Sequence, residues 1–418
     1  MVNTINRSDQ NRIAVAIFVS QSLFSAAMIA MFTLTPIIAA ELSGRDSAAG
    51  VPSTVILIGR AIAAYPLGWF MDRVGRRLGL SAGFGFGVLG AGIGIASIIM
   101  GSFVLFCVGA LIVGFGRAAA EQGRFVAAEV FKEDRRARVI GFIVFAGTIG
   151  SVFGPGLVNF STNMMNRYQI PENAGPFFIT LTFTFLALAV TFLALRPDPL
   201  ELSKLIDLGE NKPTSSHEPP QTIRGIFSRP MVQLALAAMI IGQLVMVLLM
   251  TITPLHMANH AHTTRDISFV IMAHTLGMFG LSAFTGQLVD RFGRIPMIAF
   301  GSAILISASL MAPISTSFSN LAISLFLLGL GWNFTFVGGS SLLSDALKYG
   351  ERGRIQGASE MLIALAAGTG SFSTGPVYTF REGGMAAVAA VGLAFALFLV
   401  AWLVYFRLNH QPRLAEAD

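Results

Sequence analysis

Twelve apolar runs, each 19 to 30 residues long, divide the chain at short polar breaks, over 13–40, 51–70, 78–100, 103–130, 139–160, 177–195, 231–257, 267–289, 295–313, 317–346, 355–380 and 385–407. At 1.5 Å per helical residue, a run of this length crosses a hydrocarbon core of about 30 Å. Backbone polar groups in lipid must be satisfied within the element, so runs of this length predict helices, numbered here as spans 1–12. One long polar segment interrupts the series, RPDPLELSKLIDLGENKPTSSHEPPQTIRGIFSR, rich in Pro, Ser and charge. It cannot bury enough apolar area to fold alone and reads as a linker. A short amphipathic stretch near 200–208 is expected to lie along the membrane surface. The predicted organisation is a six-helix bundle over 1–196, a linker over 197–229 and a second six-helix bundle over 230–418.

The two bundles are copies. MFTLTPI at Met31 returns as LMTITPL at Leu249, and GWFMDRVGRR at Gly68 returns as GQLVDRFGRI at Gly286, both displaced by 218 residues. A shared offset marks an internal duplication, and duplication within an apolar chain is the signature of transporter folds.

Composition narrows the class. The chain is 54% hydrophobic and only 12% charged, with a mean hydropathy of +0.70, which excludes a water-soluble globule. Of the 28 Lys and Arg residues, 21 fall on the termini and even-numbered loops and four, Arg45, Arg167, Arg265 and Arg381, on the opposite loops. The positive-inside rule then places both termini and the even loops in the cytoplasm, so the net charge of +6 reports topology rather than nucleic-acid binding. The first apolar run is too long for a signal-peptide core and has a counterpart in span 7, so it is expected to be retained. A single cysteine, Cys107, excludes an internal disulfide and a paired-thiolate metal site.

The duplicated loop is specific. Gly68, Asp72, Arg73, Gly75, Arg76 and Arg77 form G-x-x-x-D-R-x-G-R-R between spans 2 and 3, and Gly286, Asp290, Arg291, Gly293 and Arg294 form its degenerate copy between spans 8 and 9. The pattern resembles the corresponding loop of the major facilitator superfamily, and the resemblance extends over all twelve spans. It implies the major facilitator fold, an all-α integral membrane protein with two pseudo-symmetric six-helix bundles. It implies further that Asp72 caps span 11, that Asp72, Arg76 and Glu129 form a cytoplasmic charge cluster closing the halves, and that Asp290, Arg294 and Asp345 form its weaker counterpart. A reading in which these charges only set topology and meet headgroups stands beside it. The loops after spans 4 and 10 also repeat, placing Arg136 over Arg352 and Arg138 over Arg354, as helix starts and inside anchors.

Charges inside the spans point to function, because an ionised group at mid-bilayer needs a partner or water. Arg117, Glu121 and Arg124 lie at spacings of four and three on one face of span 4, so that Glu121 bridges both arginines. In the superfamily fold spans 1, 4, 7 and 10 line the central cavity, which implies that this ladder is close to the solute. A carboxylate there suits proton coupling; a permanently ionised structural ladder is the alternative. The superfamily has Arg four residues before Gly in span 4, whereas Glu121 follows Arg117 at that spacing. Arg60, about 15 Å into span 2, needs Glu121, a helix-end carbonyl or an anionic solute. Three deep arginines against one glutamate leave two excess positive charges, which favours anionic or zwitterionic solutes if they face the cavity. GFGR at Gly114 aligns with GLGW at Gly329, setting Trp332 opposite Arg117. Trp332, Asn333 and Phe336 supply an aromatic and amide wall or plain packing. His274 in span 8 is a second titratable candidate, or a neutral packing histidine.

Span 5 carries Gly141, Gly150, Gly154 and Pro155 at the spacing of the superfamily's drug:proton antiporter motif, with Val158 where a final glycine is expected. GFGVLG at Gly85 lies inside an apolar helix with no preceding strand and is not a dinucleotide site. The expectations are therefore a multi-pass inner-membrane protein, acting as a monomer in contact with lipid, with no enzymatic activity, no metal and no cofactor beyond a proton gradient. Its partner is a small-molecule solute. Proton-coupled export comes first, then proton-linked uptake of an organic anion or nutrient, then a non-transporting receptor-like or assembly protein of the same fold.

Overall fold

The computed structural model describes residues 7–45, 48, 50–209, 222–348, 350–380 and 384–410. Its α-helices are α1 (Arg7–Ser43), α2 (Val51–Val74), α3 (Arg76–Ile99), α4 (Phe103–Glu129), α5 (Glu133–Arg167), α6 (Gly175–Ala194), α7 (Pro199–Gly209), α8 (Ile223–Phe227), α9 (Pro230–Asn259), α10 (Thr264–Thr275), α11 (Ser282–Phe292), α12 (Arg294–Met311), α13 (Phe318–Ala346), α14 (Arg352–Thr379) and α15 (Gly384–His410). Among the described residues ten helices are long and apolar enough to cross a membrane, and eleven if one bent pair counts as a span. The region expected as span 11 forms α14, 28 residues long, which falls outside that set. Its start carries Arg352, Arg354 and Glu360, and Gly, Ser and Thr dominate 368–375.

Two differences from the expected spans have local causes. Span 8 is not one helix: a π-turn over Leu276–Gly280 separates α10 from α11, and the axis bends by 42°. The Asn333 amide nitrogen donates to the Met278 carbonyl before the break and to the Ser282 hydroxyl after it, satisfying backbone that a π-turn takes out of register. The linker is also partly helical. α7 buries Leu202, Ser203 and Ile206, and Asp198 anchors its start by accepting from the Leu200 N–H (2.9 Å) and from the first N–H groups of α3, Arg76 (3.0 Å) and Arg77 (3.1 Å).

The chain divides into two compact units. The first comprises Met1–Lys132, Phe142–Ser216 and Lys348–Ala364, the second Glu133–Gly141, His217–Leu347 and Leu365–Asp418. The opening turns of α14 thus belong to the first unit and those of α5 to the second. The first unit's core joins α1, α2, α3, α4 and α6 through Phe24, Met31, Ile56, Phe84, Phe106, Val113 and Phe177, with Phe24 against Phe84 and Phe106 against Phe177. In the second unit Met239, Leu305, Leu325, Val337 and Val388 are buried.

The duplication is visible at atomic detail where helices cross. In the first unit a Cβ on Gly59 of α2 would stand 2.2 Å from the Leu111 carbonyl oxygen, and one on Gly114 of α4 would stand 2.3 Å from that of Ile56. In the second unit Gly277 meets the Phe326 oxygen and Gly329 the His274 oxygen, each at 2.3 Å. These four pairs are the same positions of the repeat. Backbone-to-backbone approach of this kind replaces hydrophobic packing as the link between helices in lipid. The loop glycines repeat as well: Gly75 and Gly293 join consecutive helices at φ +107° and +93°, both with ψ 158°, a region open to glycine alone.

Gly114→Ala is expected to destabilise the purified, detergent-solubilised protein by about 1–3 kcal/mol through overpacking. Gly85→Ala, whose added methyl meets nothing within 4 Å, should leave the midpoint of thermal unfolding unchanged or raise it, since alanine is the better helix former. The two variants compared by thermal unfolding test the crossing.

Candidate functional site

The deep charges of the first unit form one network. Arg60 of α2, with a side chain only 5% exposed, donates through Nη2 to Glu360 Oε2 at 3.0 Å and lies 3.4 Å from Glu121 Oε2. Arg117 Nε donates to Glu121 Oε1 at 3.2 Å, and its guanidinium lies 5.7 Å from the centre of the Phe32 ring. Arg124 donates to the Glu121 carbonyl oxygen at 2.6 Å and to Glu360 Oε1.

One expectation is extended and one corrected here. The carboxylate of Glu121 pairs with Arg117 and also with Arg60, while Arg124, the second arginine expected beside it, donates to the Glu121 backbone carbonyl and to Glu360. The fixed separation of four residues lets Arg117 reach Glu121 along α4, but Arg60 and Glu360 come from α2 and α14 and complete the arrangement. The excess positive charge is also one rather than two: three arginines face two glutamates, because Glu360, fully buried, joins the site. Sequence reasoning missed Glu360, which lies five residues past the predicted start of span 11. Pairing the acidic residues inside spans against the deep arginines would have drawn attention to it.

Exposure separates the two carboxylates. The Glu121 and Arg117 side chains are 22% and 29% exposed, whereas Glu360 is at 0%. Glu360 is a fixed counter-ion held by two buried guanidiniums. Glu121 and Arg117 form the partly exposed, open edge of the network. Gln122, next in α4, donates to the Ala64 carbonyl at 2.9 Å and ties α4 to α2.

A second cluster lies at the charged end of the same unit. Asp72 accepts from the Gly353 N–H (2.9 Å) and the Arg354 N–H (2.8 Å), satisfying orphan donors at the start of α14. Arg76 links Asp72 (2.8 Å) to Glu129 (2.9 and 3.2 Å). Gly68 allows this approach, since a Cβ there would stand 2.0 Å from the Gly353 oxygen. Arg73 lies 4.0 Å above the Trp69 ring.

The second unit repeats this cluster. Asp290 accepts from the Ala137 N–H (3.1 Å) and the Arg138 N–H (2.8 Å) at the start of α5. Arg294 contacts Asp290 (3.3 Å), Asp345 (2.9 Å) and the Glu133 carbonyl, and Arg136 also reaches Asp345 (3.0 Å). Gly286 and Gly141 permit the crossing: their Cβ atoms would stand 2.3 Å from the Ala137 oxygen and 2.2 Å from the Ser282 oxygen. Arg291 lies over Phe292.

The remaining candidates separate. Trp332 stacks on Phe336 at 4.4 Å, meets Phe279 edge-on and donates from Nε1 to Gln243 Oε1 at 2.9 Å. By repeat position Trp332 and Phe336 stand where Arg117 and Glu121 stand in the first unit, so one unit carries ions and the other aromatic rings at equivalent places. Asn333 spends its amide nitrogen on the π-turn, at Met278 and Ser282. His274 is buried, with Nδ1 at 2.9 Å from the Leu325 carbonyl and Nε2 without a partner; it is not in the charge network. In α5, Gly150 and Gly154 face α1, where a Cβ would stand 2.2 Å from Ser25 Oγ and 2.7 Å from Ile29. The side chain of Pro155 lies outside the described residues.

Comparison with known proteins gives these arrangements a family. The model of the Major Facilitator Superfamily matches residues 14–371 and 234–417. The MFS-type transporter YdeG of Bacillus subtilis (strain 168) is 34% identical over 409 residues, which cover 96% of this chain and 93% of that protein. The riboflavin transporter RfnT of Brucella anthropi is 28% identical over 367 residues, 86% of this chain and 87% of that one. Among solved structures, the human organic anion transporter MFSD10 (TETRAN) superposes with a TM-score of 0.77 at 16% identity, covering 94% of this chain and 99% of that one. With a duplicated helical membrane fold, a repeated Asp–Arg loop capping α14 and α5, and this kinship, the chain belongs to the major facilitator superfamily: it is a multi-pass membrane transporter, not an enzyme.

Proposed function

We propose that this transporter is a proton-coupled exporter of a small organic solute, with Glu121 as the carboxylate that answers to proton and solute, and with both termini in the cytoplasm. The observation that carries the reading is that α14 is held at two places by one unit. Its start is capped by Asp72, and two turns further in, about 10 Å along the axis, Glu360 pairs with Arg60 and Arg124. A proton on Glu121 weakens its hold on Arg60 and Arg117, raises the network's formal charge from +1 to +2 and shifts the demand for negative charge onto Glu360 and the solute. Because Glu360 and the capped N–H groups share one rigid helix, that shift bears on the Asp72 contact. Freeing α14 and α5 at the charged end then means releasing four backbone N–H groups from Asp72 and Asp290. The glycines of α5 against α1 support the export direction.

A second reading, proton-linked uptake of an anionic or zwitterionic nutrient, is favoured by the net positive network and by the kinship with a protein named a riboflavin transporter.

In proteoliposomes with an imposed pH gradient, screened with drugs and organic anions, wild type should accumulate a solute against its gradient. Glu121→Gln should abolish accumulation while retaining downhill exchange. Equal accumulation by the variant would remove Glu121 from coupling, and the polarity of the driving gradient decides between export and uptake.

The two glutamates should also separate in stability. Glu360→Gln leaves two buried guanidiniums short of charge and is expected to cost about 3–5 kcal/mol. Glu121→Gln, at the open edge, should cost clearly less. Thermal unfolding of both purified variants checks the order, and the reverse order would contradict the assignment of Glu360 as the fixed counter-ion.

A further inference from the structure

The second unit contains a cavity of about 400 Å³ between the opening turns of α5 and the charged end of α11, lined by Arg138, Arg291, Asp134, Asp290, Gln287, Phe284 and Leu288. Its two guanidiniums come from different helices, and among the described residues neither forms an ion pair. Asp290 is shared: its oxygens accept from the Ala137 and Arg138 N–H groups and meet Arg294, and its charge also acts on the Arg138 guanidinium without a direct ion pair. Asp134 is mostly exposed and turned toward Arg135 (3.9 Å). Below the arginines the lining turns apolar. Phe284 is 58% exposed and continues along one face of the α10–α11 region with Leu281, Leu288 and Phe292, the spacing of a lipid-facing helical strip. Two guanidiniums without a direct ion pair, above an apolar strip, are complementary to an amphiphile with an anionic head.

The repeat supplies an independent observation. Position 287 corresponds to Trp69, 291 to Arg73 and 138 to Arg354. In the first unit Trp69 lies beneath the Arg73 guanidinium at 4.0 Å; in the second the smaller Gln287 stands in its place, and the space is open.

We propose that this cavity is a binding site for an anionic phospholipid, with the headgroup phosphate between Arg138 and Arg291 and an acyl chain along Phe284 and Leu288. The site adjoins the Asp290 cap on α5, since Arg138 supplies both a guanidinium to the cavity and a backbone N–H to Asp290. Bound lipid therefore favours the α5–α11 contact.

The test uses the full-length protein purified in detergent. Lipid retention is read by native mass spectrometry and by the thermal midpoint, with phosphatidylglycerol, phosphatidylcholine or glycerol 3-phosphate added. Phosphatidylglycerol should be retained and raise the midpoint, phosphatidylcholine should bind at least tenfold more weakly, and glycerol 3-phosphate should not displace the lipid at equal concentration. Gln287→Trp, which fills the cavity as Trp69 does in the other unit, and Arg138→Gln, which removes charge, should each weaken phosphatidylglycerol binding at least tenfold. Their unfolding midpoints without lipid confirm that each is folded. Equal retention of the two lipids, or unchanged retention by both folded variants, would overturn the site, and displacement by glycerol 3-phosphate would make it a soluble-anion site instead.

Discussion

The arrangement depends on one constraint: an arginine buried in an apolar bundle requires a carboxylate, and the carboxylate must come from whichever helix stands beside it. Arg60 meets that requirement through Glu360 and Glu121, and in doing so joins α2 to α14 and α4. Desolvating these ions costs free energy that their attraction offsets only when hydrogen bonds are also satisfied. Arg60 Nε has no partner, so the network is not at its stability optimum. A purely structural bundle would be better served by hydrophobic side chains of similar volume. The retention of five ionised groups, two of them at an open edge, is therefore an argument for function.

What was legible in the chain follows from length scales. A bilayer sets one thickness, so apolar runs reveal their helices, and a duplicated motif at a fixed offset reveals two copies. The Asp–Arg–Gly loops carry their geometry locally: Gly75 and Gly293 are needed for a backbone that other residues avoid, and Asp72 and Asp290 lie four residues before Arg76 and Arg294, the distance of one helical turn. Charges on α4 were readable for the same reason, because 117, 121 and 124 share a face in any helix. The partners of Arg60 and Arg124 were not, since they depend on which helices become neighbours; Glu360 looked like the polar approach to a span. The π-turn in span 8 was hidden for a related reason. The run 267–289 is predominantly apolar from end to end, and the amide that meets the break, Asn333, lies 55 residues beyond Met278.

The two copies kept different things. Where backbone meets backbone, at Gly59, Gly114, Gly277 and Gly329, there is no room for a side chain, and both units retain glycine. Where side chains point away from these crossings the copies have diverged: Arg60 against Met278, Arg117 against Trp332, Glu121 against Phe336, Trp69 against Gln287. A duplicated fold can therefore hold its helix crossings constant while one copy specialises in charge and the other in aromatic surface.

The same comparison explains why α14 and α5 are not mechanically equivalent, although each begins under an aspartate cap. α5 is fastened at that cap, at Asp345 through Arg136, and at the Gly141 crossing. The residue at the depth of Glu360 in α5 is Val144, which offers no ion pair. α14 has the cap and, seven residues further in, the buried contact to Arg60 and Arg124. On the coupling proposed above, a change of charge near α4 would reach the capped end of α14 through one helix, and α5 carries no ion pair at the equivalent depth. Of the two pseudo-symmetric aspartate caps, the one on α14 shares its helix with a buried ion network, and the one on α5 does not.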